Sequence, residues 1–223
     1  MDNLSEVKSE ITKTAADCGR KSVTLVAVSK THGMDKILPM LEAGQRVFGE
    51  NRVQEAMEKF PPLKEKYPDL KLHLIGPLQT NKVKEAVELF DVIETVDRVE
   101  LAEKLAKEMK KQGKNIPCFI QVNTGEEPQK AGIVPRETFL LLEKCRKLGL
   151  NIIGLMCIPP VDDEPAPHFA FLKKLAKQAG LPELSMGMSA DYTIAVQQGA
   201  TYVRVGSALF GQRDYSKQQI IPA

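Results

Sequence analysis

The sequence lacks an excess of charge of either sign. Of its 223 residues, 31 are lysine or arginine and 29 are aspartate or glutamate, so the formal net charge is only +2. Proteins that bind nucleic acids or anionic membranes normally carry a concentrated excess of positive charge. The charge balance therefore argues against a nucleic acid or a membrane surface as the main partner.

Segments that direct a chain into or across a membrane are also missing. Residues 1–6 have neither the basic n-region nor the apolar h-region of a signal peptide. No apolar stretch is long enough to span a bilayer. We therefore expect a cytoplasmic protein.

Cysteine is scarce and scattered. The four cysteines form no C-x-x-C pair and are Cys18, Cys118, Cys145 and Cys157. In a chain with no secretion signal, this spacing predicts reduced thiols rather than disulfides. The three histidines are far apart in sequence and no tight cluster of ligands occurs, so no metal site is expected.

What the sequence does have is an alternation of short apolar runs with amphipathic segments. The eight predicted strands are 24–30, 46–50, 71–75, 91–96, 117–123, 151–158, 183–188 and 202–205. They show little polar alternation, which is typical of parallel strands covered on both faces. Eight strand–helix units favour a single (β/α)₈ TIM barrel domain over residues 1–223, with an extra N-terminal helix. The alternative is an open doubly wound sheet, but no G-x-G-x-x-G turn follows the first strand.

Lys30 is the most informative residue. It closes the run Thr24–Lys30 and precedes a predicted loop, so its charge must reach a surface or a cleft, or take part in chemistry. Partial burial lowers the pKa of a lysine, and a neutral amine can form a Schiff base with an aldehyde. The alternative is a strand-end lysine whose amine simply reaches water.

The loops after the last two strands carry small residues. Functional groups of such barrels lie at the carboxyl ends of the strands, and phosphates often bind near the last two. Gly187, Ser189, Gly206 and Ser207 can present backbone N–H groups to an anion there, and Ser189 is a predicted N-cap for a helix beginning near Ala190. The alternative is that the glycines only permit tight turns and that Ser189 only caps the helix.

Arg204 is a second charge in an unusual place. Side-chain alternation puts Arg204 and Gly206 on one side of the last strand, beside the strand that Lys30 closes. An amine, a cation and a phosphate loop at one mouth describe a site for pyridoxal 5′-phosphate (PLP). The alternative role for Arg204 is an internal salt bridge, to Glu50 or Asp97.

Several motifs in order carry a resemblance over essentially the full length. They are LVAVSK at 25–30, FGEN at 48–51, QE at 54–55, HLIGPLQTNK at 73–82, VN at 122–123, KAG at 130–132, GLM at 154–156, LSMGMS at 184–189, VRVG at 203–206 and FG at 210–211. On these motifs the chain resembles the pyridoxal phosphate homeostasis protein family, the small relatives of the N-terminal barrel of alanine racemase.

The resemblance implies a role for each matching residue. Lys30 holds PLP as an internal aldimine, the last two loops hold the phosphate, and Arg204 lies near the phosphate and the pyridine ring. The implied cofactor-binding residues are Lys30, Asn51, Met156, Ser189, Arg204, Gly206 and Ser207, with His73 a weaker candidate. The chain departs from the family at Thr193, where many relatives have an acidic residue, and Ser207 replaces a common threonine while keeping the hydroxyl.

The resemblance also bears on activity. A cation beside the pyridine nitrogen disfavours its protonation and weakens the ring as an electron sink. Alanine racemases add a second base, a tyrosine, through an extra β-domain and a partner subunit, for which these 223 residues have no counterpart. We therefore expect a monomeric PLP-binding protein of vitamin B6 homeostasis, without catalysis of its own, that stores PLP reversibly or delivers it to recipient apo-enzymes.

Two other functions remain open at this point. One is a racemase-like PLP enzyme acting on a small amino acid. The other is a Schiff-base aldolase in which Lys30 attacks a sugar phosphate and no cofactor is bound. Lys82 and Lys130 lie near strand ends and either meet an aldehyde or phosphate at a second PLP site or are ordinary solvated lysines.

Overall fold

A closed barrel of eight parallel strands forms the centre of the protein, in a computed structural model that describes residues 2–20 and 22–211. The strands are β1 Thr24–Val28, β2 Val47–Glu50, β3 Lys71–Leu74, β4 Val92–Val96, β5 Cys118–Val122, β6 Ile152–Cys157, β7 Glu183–Ser185 and β8 Tyr202–Val205. Each strand pairs with the next, and β8 pairs with β1 to close the ring. The predicted (β/α)₈ barrel is confirmed, and the open sheet is excluded.

Helices surround the barrel. They are α1 Asp2–Asp17, α2 Met34–Glu42, α3 Val53–Lys59, α4 Pro61–Lys66, α5 Val83–Leu89, α6 Val99–Gln112, α7 Thr138–Lys147, α8 Pro165–Ala179, α9 Tyr192–Gln198 and α10 Ser207–Phe210. The predicted extra helix is α1, which packs against α9 and α10. Within the described ranges, no helix is long and apolar enough to cross a membrane.

The strands are buried on both faces, which explains their lack of polar alternation. All five residues of β5 are buried, and its Phe119 ring lies edge-on to Tyr202 of β8 at a centroid distance of 5.6 Å. Tyr202 also packs against His73 of β3, at 5.6 Å. Side chains from three strands thus fill the inside of the ring. Arg204 stands two residues beyond Tyr202 on β8, on the same side of the strand.

The first strand is shorter than predicted. β1 ends at Val28 rather than Lys30, because the chain turns immediately afterwards. Thr31 has a φ of +66°, a left-handed conformation that is strained for a β-branched residue. The N–H of His32 donates to the carbonyl of Ser29 at 3.1 Å and closes the turn. Lys30 therefore lies on a tight turn beyond the strand.

The seventh strand is also shorter than predicted. β7 ends at Ser185 because Gly187 takes a φ of +93°. A Cβ atom at Gly187 would lie 2.5 Å from the side chain of Ala195, so only glycine fits. The following helix, α9, begins at Tyr192 rather than near Ala190. The tight turn therefore explains why residue 187 is a glycine.

Candidate functional site

A cavity of about 320 Å³ lies where the carboxyl ends of β1 and β8 meet. It is lined by Val28, Lys30, His32, Asn51, Ile75, Ile158, Met188, Ser189, Ala190, Arg204, Gly206, Ser207 and Gly211. Six of the seven residues singled out from the sequence are in that set. Residues from both ends of the chain meet there because β8 pairs with β1.

Met156 is the predicted site residue that is not in that set. It is fully buried in β6, beside Gln121 of β5 and Ser185 of β7. Ile158, two residues further along, lines the cavity instead. The strand was recognised correctly, but the cavity begins beyond Met156.

The weaker candidate His73 and the two lysines Lys82 and Lys130 are also absent from the cavity lining. Lys82 lines a neighbouring groove together with Gln54 and Gln79, and Asn51 lines both this groove and the cavity. Lys130 forms an ion pair with Glu127, at 2.7 Å between Nζ and Oε2. Thr193 lies in α9.

Ser189 joins the last two loops. Its Oγ accepts hydrogen bonds from the backbone N–H groups of Gly206, at 3.1 Å, and Ala208, at 3.3 Å. The predicted N-cap role of Ser189 is wrong, because the N-cap residue of α9 is Asp191. Instead, two backbone donors at the beginning of α10 converge on one oxygen, an arrangement suited to an anion.

Gly206 has no steric explanation of the kind found for Gly187. Its φ is −119°, which any residue can adopt. A Cβ atom there would be 3.4 Å from the Cβ of Val28, an ordinary contact. Its position on the cavity wall, next to Ser189, distinguishes Gly206 from a residue that only forms a turn.

Arg204 is buried and belongs to a chain of polar side chains inside the barrel. Its Nη1 donates to Ser185 Oγ at 2.7 Å, and its Nη2 donates to the carbonyl of Cys157 at 2.8 Å. Ser185 Oγ donates to Glu94 Oε2 at 2.5 Å. Glu94 Oε1 lies 2.6 Å from His73 Nδ1. We call His73, Glu94, Ser185 and Arg204 the inner polar cluster.

The inner polar cluster bears on the alternative role of Arg204, an internal salt bridge to Glu50 or Asp97. Neither expected partner is used, since Asp97 pairs with Arg98 and Glu50 pairs with Lys59. The alternative of a salt bridge to either of these residues is therefore wrong, although Arg204 does bind partners inside the barrel. The positions of the strands explain the difference, because β7, which carries Ser185, pairs with β8, and Glu94 of β4 reaches Ser185 inside the closed ring.

Glu94 remains a carboxylate despite complete burial. Burial by itself would raise its pKa, but the hydrogen bond and charge of His73, the charge of Arg204 and the hydrogen bond of Ser185 together hold the pKa below the ordinary value. Its negative charge offsets the guanidinium charge, and the arginine therefore lies at the cavity without being an uncompensated buried ion.

A second charged group lies behind the turn that carries Lys30. Lys59 Nζ is 2.6 Å from Glu50 Oε1 and 2.8 Å from Glu55 Oε1. Ser29 Oγ donates to the same Glu50 oxygen at 2.7 Å. We call Glu50, Glu55 and Lys59 the outer ionic cluster.

Within the outer ionic cluster, Glu50 is the buried acid. Its Oε2 accepts no hydrogen bond from the described residues. Burial raises the pKa of Glu50, and the opposing effects of Lys59 and Ser29 do not compensate. Lys59 and Ser29 thus both bind Oε1, and Oε2 is buried without a hydrogen bond from the described residues.

Sequence reasoning missed several residues that shape the cavity. His32 lines the cavity and stacks on the ring of Phe210, with centroids 4.9 Å apart. Glu94 and Ser185 were not singled out, although each is a polar residue within a short strand of the barrel. A polar residue in a strand buried on both faces needs an internal partner, and that was the available signal.

Comparison with known proteins places the chain in a family. The profile described as alanine racemase, N-terminal domain, matches residues 3–214. The pyridoxal phosphate homeostasis protein of Vibrio cholerae serotype O1 is 42% identical over 228 residues, covering 96% of this chain and 97% of the relative. The chain belongs to the pyridoxal phosphate homeostasis protein family. Its Escherichia coli (strain K12) member is 39% identical, with 97% of each chain covered.

Solved structures of the family share the fold. PipY of Synechococcus elongatus PCC7942, solved without PLP, has a TM-score of 0.84 and 40% identity, covering 94% of this chain and 99% of PipY. PipY with PLP bound has a TM-score of 0.78 and 41% identity, covering 90% of this chain and all of PipY. Alanine racemase of Clostridium difficile 630, at 18% identity and a TM-score of 0.69 over 96% of this chain and 56% of the racemase, shares the barrel fold alone.

Proposed function

We propose that the protein binds pyridoxal 5′-phosphate in the cavity through Lys30, and that it serves the homeostasis of this cofactor without catalysing a reaction of its own. The observation that carries the proposal is the convergence of Lys30, Arg204 and the Ser189–Gly206 pair in one cavity. Its relatives are named for pyridoxal phosphate, and PipY has been solved with PLP bound.

The residues on the cavity wall fit this group. Asn51 Oδ1 is buried and has no hydrogen-bond partner among the described residues, so it is available to a ligand donor. The backbone N–H groups that converge on Ser189 Oγ suit the phosphate. A volume of about 320 Å³ is at the small end of the range for ligand sites, as suits a compact cofactor.

Each residue would act in a different way. PLP supplies an aldehyde that condenses reversibly with a primary amine, with the carbonyl oxygen leaving as water. Lys30 supplies that amine from the turn after β1. Arg204 supplies a fixed positive charge, which favours the anionic group and disfavours a proton on a nearby ring nitrogen.

The placement of Tyr192 and Tyr202 fits packing roles rather than the role of a second base. The Tyr192 hydroxyl donates to Glu10 of α1, on the outside of the barrel, and burial with this contact raises its pKa to about 12. Tyr202 packs inside the ring below the cavity. Among the described residues, no tyrosine lines the cavity in the position of a second base.

Absorbance and mass mapping test the proposal. The purified protein mixed with PLP should turn yellow, and borohydride reduction should fix the cofactor on Lys30. Lys30→Ala should abolish both the colour and the fixed adduct. Lys36→Ala is the matched control, since Lys36 is an exposed lysine of α2. If Lys30→Ala keeps the spectrum and stoichiometry of the wild type, the assignment of Lys30 is wrong.

The two rival functions have their own readouts. Incubation of the loaded protein with a panel of L-amino acids, followed by chiral analysis, should show no conversion beyond that of free PLP. His32 makes this test necessary, because it is a titratable side chain on the cavity wall. A Schiff-base aldolase would instead trap a sugar phosphate on Lys30 with borohydride in the absence of PLP.

The monomeric state, the cytoplasmic location and delivery to recipient apo-enzymes stay predictions. Light scattering of the eluted protein measures the first, and fractionation of the cell measures the second. For the third, loaded protein mixed with a PLP-dependent apo-enzyme should restore its activity faster than the same concentration of free PLP. An equal rate would contradict delivery.

A further inference from the structure

The turn that carries Lys30 is strained and anchored on both sides. Thr31 has a φ of +66°, a region that a β-branched residue rarely enters. Such conformations persist when the surrounding structure over-determines them. On the strand side, the N–H of Ser29 donates to the carbonyl of Gly49 at 3.0 Å and continues the pairing of β1 with β2.

The outer ionic cluster holds the other side of this turn. Lys59 Nζ donates to the carbonyl oxygens of Ser29, at 3.0 Å, and His32, at 3.2 Å. Glu55 Oε1 accepts the N–H of Thr31 at 2.6 Å. Backbone groups before and after Lys30 are therefore bound by side chains of α3, a helix whose residues do not line the cavity.

We propose that Lys59 and Glu55 are positioning residues, which hold the turn at residues 29–32 in the strained conformation that points Lys30 into the cavity. The proposal rests on the proposed function, because it concerns the lysine to which the cofactor binds. Neither residue lines the cavity, so α3 would act on Lys30 through the turn rather than by contact with the cofactor.

The contacts of Lys59 favour positioning over ordinary packing. Its side chain is only 12% exposed, and four acceptors surround its ammonium group. Two of the acceptors are backbone carbonyls that flank Lys30, so the charge is placed to fix a loop. The same contacts explain why Lys59, although near the cavity, is not itself the reactive amine.

The first test measures how fast the cofactor attaches. Apo-protein mixed with PLP is followed by absorbance, and the product is reduced and mapped. Because misplacement of a reacting group by about 1 Å can slow a reaction about a hundredfold, Lys59→Met should slow attachment to Lys30 by about tenfold or more. Lys64→Met is the control, since Lys64 also binds a carbonyl and a carboxylate but lies away from the turn.

A second measurement needs no cofactor. Hydrogen exchange of the ligand-free protein should show that the Thr31 amide exchanges faster in Glu55→Met and Lys59→Met, and stays protected in Lys64→Met. If Lys59→Met alone does not fold because Glu50 loses its cation, the Glu50→Gln/Lys59→Met double variant removes both charges and is measured in its place.

A rescue separates positioning from a loss of general stability. Thr31→Gly relieves the strain at φ +66°, so in the Lys59→Met background it should restore much of the attachment rate without restoring the unfolding temperature. Equal attachment rates and equal Thr31 exchange in Lys59→Met and Lys64→Met would overturn the positioning role. Attachment elsewhere than Lys30 in the wild type would instead overturn the proposed function.

Discussion

Two fully buried glutamates support the same cavity, and their pKa values shift in opposite directions. Burial raises the pKa of Glu50 in the outer ionic cluster. In the inner polar cluster, burial acts on Glu94 in the same sense, but its partners reverse the effect and lower the pKa. Both side chains have no exposed surface. Burial alone therefore does not decide the charge state.

The distribution of partners explains the difference. His73 and Ser185 bind different oxygens of Glu94, and Arg204 adds its charge through Ser185. For Glu50, Lys59 and Ser29 share one oxygen and the other has no partner among the described residues. A buried carboxylate is stabilised as an ion when both oxygens are bound. The inner polar cluster fixes a side-chain charge, and the outer ionic cluster fixes a backbone turn.

The largest effect should come from the inner polar cluster. Glu94→Gln keeps the shape but leaves Arg204 buried without its anion, so the free energy of unfolding should fall by about 3–5 kcal/mol. Urea titration measures it. Glu143→Gln is the control, because Glu143 forms only an exposed ion pair with Lys147. Equal stabilities of the two variants would show that the inner polar cluster is not an ionic unit.

A smaller effect is expected from the corresponding change in the outer ionic cluster. The raised pKa of Glu50 means that folding stabilises its charged form less than its neutral form, and Lys59 keeps Glu55 as a partner. Glu50→Gln should therefore lower the free energy of unfolding by only about 1 kcal/mol. A loss as large as that of Glu94→Gln in the same titration would contradict the contrast between the clusters.

The pH dependence of stability should separate the two acids by sign. The stability that Glu94 contributes is present above its unfolded pKa of 4.5 and is lost as the pH falls towards its lower folded pKa. Glu50 acts oppositely, because its folded pKa lies above the unfolded one, and stability rises as the pH falls through the folded value.

Urea titrations from about pH 7 to about pH 3 measure this difference. On acidification the wild type should lose stability relative to Glu94→Gln, and gain stability relative to Glu50→Gln. The same sign for both comparisons would show that one of the two directions is wrong.

The smallest effect concerns the thiol of Cys157, a third titratable group, which is close to Arg204. Burial raises the pKa of the Cys157 thiol to about 12, although Arg204 opposes this. Because Cys118 and Cys145 are also buried, a thiol reagent at neutral pH should label one cysteine per native chain, the exposed Cys18. Mass spectrometry after labelling checks this, and Cys18→Ser should abolish it. Labelling of Cys157 would show that the arginine dominates over burial.

The barrel and the main cavity residues could be predicted from the sequence because both depend on local patterns. Apolar runs indicated the strands, and alternation along β8 placed Arg204 beside the strand that leads to Lys30. The left-handed Thr31 was not predictable, because side chains of α3 impose that conformation. The pairing of Arg204 with Glu94 could not be predicted either. Glu94 is 110 positions away in sequence, and Ser185 links the two side chains inside the closed ring.

The pairing of β8 with β1 has a consequence for the order of synthesis. Lys30 is made early by the ribosome, while Arg204 and the donors of α10 are made 174 or more residues later. Until β8 has joined β1, the lysine has no cavity around it and no anion site beside it. A nascent chain would therefore meet its ligand only when the last strand has emerged, so ligand capture reports that the ring is complete.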